Sequence, residues 1–116
     1  MRKKRRSLQR PDQPGWLFTV QSRIGFQVRT TRGYWSLITT VKHPSLYDRE
    51  EAVIQTLIKP DQVRISKIDK TVYLFYRKFG RRHLCVVTKR FEPNTGFIIT
   101  AYVTEKLKEG KIVWKR

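Results

Sequence analysis

Two histidines, a row of strand hydroxyls and a dense set of cations are the residues of this chain whose types could do chemistry. His43 stands in KHPSL between a lysine and a proline, and His83 follows Gly80, Arg81 and Arg82. In FIITAYVT the two-residue period of a strand puts Ile98, Thr100, Tyr102 and Thr104 on one side. Phe97, Ile99, Ala101 and Val103 fall on the other, which is the expected core side. Arg64 and Ser66 share a face of VRISK opposite Val63 and Ile65, and Lys89 ends LCVVTK. Acids are scarce: of nine, Asp48, Glu50 and Glu51 are expected to start a helix and the rest are scattered, so neither a two-metal site nor any cofactor is expected. RNA suits such a set, because its 2′-OH is a built-in nucleophile. Cleavage then needs a base for that proton, an acid for the 5′-oxygen leaving group, and cations for the charge of the phosphorane. Histidine exchanges protons near neutrality. His83 reads as one more member of a basic turn. His43 reads either as a helix-ending residue meeting the dipole or as a site residue held at a rigid junction by Pro44.

The charge points to the same substrate class. In 116 residues there are 26 Lys and Arg against nine Asp and Glu, a net +17, and such a surface seeks polyanions. Six of the cations lie in the first ten residues, so the remainder is itself basic. Between Arg64 and Arg90 nine cations face a single acid, Asp69. Ser66, Lys67, Tyr76, Arg77, Arg81, Arg82 and Arg90 are accordingly expected to hold the substrate, with no metal ligand among them. A non-catalytic RNA- or DNA-binding module is the alternative, with Tyr73, Phe75, Tyr76 or Tyr102 stacking on bases. A phage accessory protein whose basicity serves assembly is a third reading. No apolar run approaches the roughly 18 residues of a membrane span, and no apolar segment follows the basic start, so a cytoplasmic protein without membrane partners is expected. The single cysteine, Cys85, lies in the apolar run LCVV and reads as a buried thiol.

The elements that must position these groups form one α+β domain over 16–116, preceded by a disordered basic arm at 1–15. WLFTVQ and FQVRTT read as an N-terminal hairpin turned at SRIG. Trp35, Ile38 and Val41, with Tyr34 and Leu37 alongside, suit a helix opened near Thr31–Gly33 and stopped by Pro44. A second helix carries Val53, Ile54, Leu57 and Ile58 on one stripe, with Asp48 and Glu51 as its capping box and Pro60 after its end. Beyond Pro60 the texture is strand, with breaks at KIDK, GRR and EPNTG, which predicts an antiparallel meander under the two helices.

The order TTRGYWSLITTVKHPSL, TLIKPDQVRISKIDKTVYLFY, LCVVTK and GFIITAYVTEKLKEGKIVW resembles small phage- and mobile-element-associated domains of the barnase/EndoU/colicin/RelE-like (BECR) nuclease superfamily, over about residues 16–114. The resemblance implies a helical region followed by a curved, mainly four-stranded antiparallel sheet, and metal-independent RNA cleavage. Such a ribonuclease free in a cell would be toxic, so an acidic antitoxin or immunity protein is an expected partner. The resemblance also implies a catalytic set of His43 from the His-Pro motif, Arg64, Lys89, Thr100 and Tyr102, with Ser66 beside Arg64. Trp35 is followed by Ser36 and Leu37 where many relatives carry a histidine, and Ser45 stands where they carry an acid.

Overall fold

The computed structural model describes residues 15–107 and 110–116, so the expected basic arm lies outside the described residues apart from Gly15. Alternating apolar residues form β1 (Trp16–Gln21) and β2 (Gln27–Thr31), an antiparallel hairpin turned at Gly25, whose φ of 101° favours glycine. Thr31 caps helix α1 (Arg32–Leu37) by accepting from the Tyr34 amide at 3.0 Å.

The helix then widens over Ile38–Lys42. Thr39 and Thr40 each bond back to the carbonyl four residues earlier, Trp35 and Ser36, which draws those carbonyls out of the regular ladder. The wide turn closes with the His43 amide donating to Ile38 O at 2.6 Å. The sequence period anticipates Val41 on the buried face. The wide turn instead leaves Val41 exposed while Trp35 and Ile38 stay buried. His43 leaves the helical region, as a residue before proline must, and Pro44–Leu46 adds one 3₁₀ turn.

Helix α2 (Glu50–Ile58) buries Val53 and Leu57 as its stripe requires, but the capping box is absent. Arg49 is the N-cap, Asp48 sits in the left-handed region at φ 63°, and Glu51 accepts from Gln55 Nε2. The tight turn after Pro44 places the helix start one residue later than the motif implies. Glu50 and Glu51 still lie in the first turn, where the dipole favours them.

Strands β3 (Gln62–Ile65), β4 (Val72–Phe79), β5 (Arg82–Glu92) and β6 (Thr95–Thr104) form the expected antiparallel meander. The sheet does not stop there, and the expectation of a mainly four-stranded antiparallel sheet is overturned. It has seven strands in the order β1-β2-β6-β5-β4-β3-β7 and is mixed. Strand β2 pairs in parallel with Thr95, Gly96 and Phe97 of β6, which draws the N-terminal hairpin into the sheet, and β7 (Lys111–Lys115) closes the far edge on β3. Backbone groups of a short hairpin and of a five-residue tail need partners, and pairing with an existing edge supplies them.

Helical Trp35, Ile38, Leu46, Val53 and Leu57 pack on one face of the sheet, against Phe26, Val28, Val63, Phe75, Leu84, Val86, Ile98 and Ala101. A smaller cluster of Leu74, Tyr76 and Cys85, with Val72, Val87, Tyr102 and Leu107 around it, lines the other face. Cys85 is buried there as its sequence context predicts. No helix among the described residues is long and apolar enough to cross a membrane.

Gly96 sits between β2 and β5, opposite Val28 and Arg90, and a Cβ there would lie 2.7 Å from Lys89 O and 2.8 Å from the Phe26 ring. Both neighbours are held, one as backbone and one in the core. Gly96→Ala is therefore expected to destabilise the fold by about 1–3 kcal/mol, read from the midpoint of urea unfolding.

Candidate functional site

Strand β6 decides which side chains meet. Its pairing with β5 runs Val87–Thr100 and then Thr88–Ile98, so Ile99 is an extra residue, a bulge. A bulge resets the two-residue alternation. Ile98, Ala101 and Val103 therefore join the helix-covered core, whereas Phe97 turns to the open face with Thr100 and Tyr102. This corrects the expected core set of Phe97, Ile99, Ala101 and Val103. Phe97 is 38% exposed and Ile98 is 1% exposed. The carbonyl of Ile99 accepts a hydrogen bond from the Tyr34 hydroxyl of α1.

The open face bears a hollow of about 320 Å³ lined by Ser66, Tyr76, Tyr102, Thr104 and Lys106 over a floor of Val72, Leu74 and Val87. Three residues singled out from sequence thus converge: Ser66, Tyr76 and Tyr102. The ring of His43 packs against Tyr102, with centroids 5.9 Å apart at 38°. The histidine of KHPSL therefore both ends a helix, through its amide, and meets the hydroxyl strand, through its ring. Pairing of β2 with β6 ends at Phe97, and the 3₁₀ turn that follows His43 lies alongside β6.

The remaining expected site residues divide by strand face. Arg64 shares the open face; its Nε donates to Gln62 Oε1 at 2.6 Å and its guanidinium lies 5.8 Å from the Tyr76 ring centroid. Lys89 also points to this face, opposite Val72, but its Nζ is 3.0 Å from Asp69 Oδ2. Asp69 belongs to the turn after β3, in which Ser66 Oγ accepts from the Ile68 and Asp69 amides. Thr100 stands opposite Val87, and its Oγ1 is buried without a partner.

Three cations expected at the site are used elsewhere. Arg90 lies over the Phe26 and Tyr73 rings on the covered side and donates to Pro93 O. Arg77 donates to Lys59 O behind α2, and Arg82 pairs with Glu105 at 3.7 Å. Arg81 is at the exposed β4–β5 turn and Lys67 in the exposed loop after β3. A cation's place along the sequence does not say which side of the pleat it takes, and odd and even positions of β4 and β5 part these sets.

His83 and Lys106 belong to this face although sequence reasoning left them out, and Thr104 follows Tyr102 on it as the strand period predicts. His83 lies directly across from Thr104 on the neighbouring strand, and its Nδ1 is buried without a partner. The signal was present, since His83, Cys85 and Val87 alternate with the core residues Leu84 and Val86. Two histidines therefore stand by the same stretch of β6, one at Tyr102 and one at Thr104. Among the described residues no three His, Cys, Asp or Glu side chains come together to hold a metal ion. Comparison with protein-family models, curated proteins and solved structures returns no match.

The Asp69 carboxyl is held down to about 2 from its ordinary 3.8, first by hydrogen bonds from the Thr71 hydroxyl and amide and then by Lys89. A carboxyl depressed in the folded state stabilises the fold fully above its ordinary value, and that contribution fades as pH falls through the folded value. Asp69→Asn should therefore flatten the loss of stability between about pH 4 and pH 2, followed by urea unfolding at each pH. A slope identical to that of the parent would show that the turn gains nothing from the charge.

Proposed function

We propose that this chain is a metal-independent endoribonuclease that cleaves RNA at the hollow on the open face of its sheet. The observation that carries the reading is the packing of His43 against Tyr102, which brings an imidazole ring to a strand whose side chains line a hydroxyl-rich cavity with Lys106 on its wall. The reaction asks for little else. A base takes the 2′-OH proton, O2′ bonds to phosphorus, the P–O5′ bond breaks, and an acid returns a proton to O5′, leaving a 2′,3′-cyclic phosphate and a 5′-hydroxyl. His43 is assigned to one proton transfer and Tyr102 or His83 to the other. Lys106, with Arg64 and Lys89 held nearby by Gln62 and Asp69, supplies positive potential for the phosphorane. The resemblance to BECR nucleases adds support from the sequence side. An acidic inhibitor protein that covers this face is the matching partner.

A non-catalytic RNA-binding module is favoured by one specific feature, the engagement of Lys89 by Asp69. The two readings separate on incubation of the purified chain with tRNA and total RNA in EDTA. Fragments with 2′,3′-cyclic phosphate ends are expected, and His43→Ala should reduce their rate of formation by about 10²-fold or more. Cleavage abolished by EDTA would defeat the metal-free mechanism, and full activity in the variant would remove His43 from the site. Tight, salt-sensitive binding without fragments would leave only the module.

A further inference from the structure

A second and larger concavity, about 520 Å³, opens beside the bulge of β6, where β2 and β6 part. Its character differs from that of the hollow. Trp16, Tyr34, Phe91 and Phe97 line it together with Arg29 and Thr30. The guanidinium of Arg29 lies 4.7 Å from the Trp16 ring centroid, and the rings of Phe91 and Phe97 are 5.7 Å apart. Those two phenylalanines remain 52% and 38% exposed. Thr30 alternates with Arg29 and is buried on the covered side, so the polar side chain this part of β2 gives to the open face is that of Arg29.

The register ties this cleft to the hollow. Arg29 pairs with Phe97, and Phe97 with Lys89, so these three side chains share the open face on which Thr100 and Tyr102 follow. A strand of RNA whose phosphate lies near Tyr102 continues across the same face towards Phe97. Its backbone there meets a strongly basic protein, while its unpaired bases meet aromatic rings and a cation already stacked on one of them. Planar bases gain from both contacts, and neither contact distinguishes one base from another.

We propose that the Trp16–Phe97 cleft is a nucleobase subsite, which stacks one or more unpaired bases of single-stranded RNA next to the phosphate held at the hollow. Arg29 covers the base or its phosphate. The subsite makes the chain selective for single strands over duplex, because paired bases cannot leave the stack to enter it. The inference rests on the proposed RNA substrate for its ligand but not on catalysis.

The test uses the full chain and a 2′-O-methyl single-stranded oligonucleotide, which cannot be cleaved through its 2′-oxygen, with binding read by fluorescence anisotropy. A matched oligonucleotide with a run of abasic sites keeps every phosphate. It is expected to bind about 5- to 150-fold more weakly, the range found when base–aromatic stacking is removed. Phe97→Ala and Phe91→Ala are expected to show a loss in the same range with an unchanged log–log salt slope, since they remove no charge. Phe97→Tyr, which keeps the ring, should retain parental affinity. Equal affinity of the parent for the intact and abasic strands would overturn the subsite, and would leave the cleft to an apolar segment of a partner protein. That outcome is separable from failure of the nuclease reading: parental RNA cleavage with no abasic penalty defeats only the subsite, whereas an abasic penalty without cleavage defeats only catalysis.

Discussion

The extra residue in β6 is the constraint on which the functional face depends. At Ile99 the strand makes one more residue than its partner, and three consequences follow from that single irregularity. The alternation of side chains shifts, so Phe97 and Tyr102 come to the same face although they stand five positions apart, an odd offset. The Ile99 carbonyl accepts from Tyr34, tying α1 to the point where β2 stops pairing with β6. The junction that holds His43 then runs beside the unpaired part of β6, where its ring can meet Tyr102. Bulges bend a strand and aim its side chains anew, and here one bulge separates an aromatic cleft from a hydroxyl-lined hollow.

A chain with so few acids must stabilise its cations by other means, and aromatic faces and backbone carbonyls supply them. Arg23 lies over Trp114, Arg29 over Trp16, Arg49 over Phe79 and Arg90 over Phe26, all within 6 Å of the ring centroid. Arg77 and Arg90 also donate to carbonyls at the ends of α2 and of the β5–β6 turn. Guanidinium suits this work better than ammonium, because it is planar and weakly hydrated. Much of the basic charge is thus part of the architecture, and the cations next to the hollow are a smaller set than the run from Arg64 to Arg90 implies.

Much of the framework was legible. The hairpin, two short helices and the four-strand meander each have a local signature: a glycine turn, a threonine cap, a stripe ending at proline, strands rich in β-branched and aromatic residues. Ser66, Tyr76 and Tyr102 were legible as well: Tyr76 lies in the regular part of β4, Ser66 directly follows β3, and Tyr102 keeps its face with Thr100 because both follow the bulge. The misreadings of the framework come from events that no local pattern announces. The bulge at Ile99 reversed the face of Phe97, two threonines widened α1 and exposed Val41, and the seventh strand and the parallel pairing of β2 arose from edges seeking partners. Arg77, Arg82 and Arg90 were misplaced because sequence proximity to a site says nothing about pleat side.

By itself the sequence determined the material: a basic α+β chain with acid-poor chemistry, a histidine at a proline junction, a strand bearing hydroxyls, and apolar stripes sufficient for one core. These follow from composition, periodicity and turn residues, which act over a few neighbouring positions. The tertiary structure alone decided which of them meet, because contact between His43 and Tyr102, or between Lys89 and Asp69, depends on strand order, register and one inserted residue. Those are properties of pairing between segments far apart in the chain, where the free energy of many small contacts, rather than any local preference, selects the arrangement.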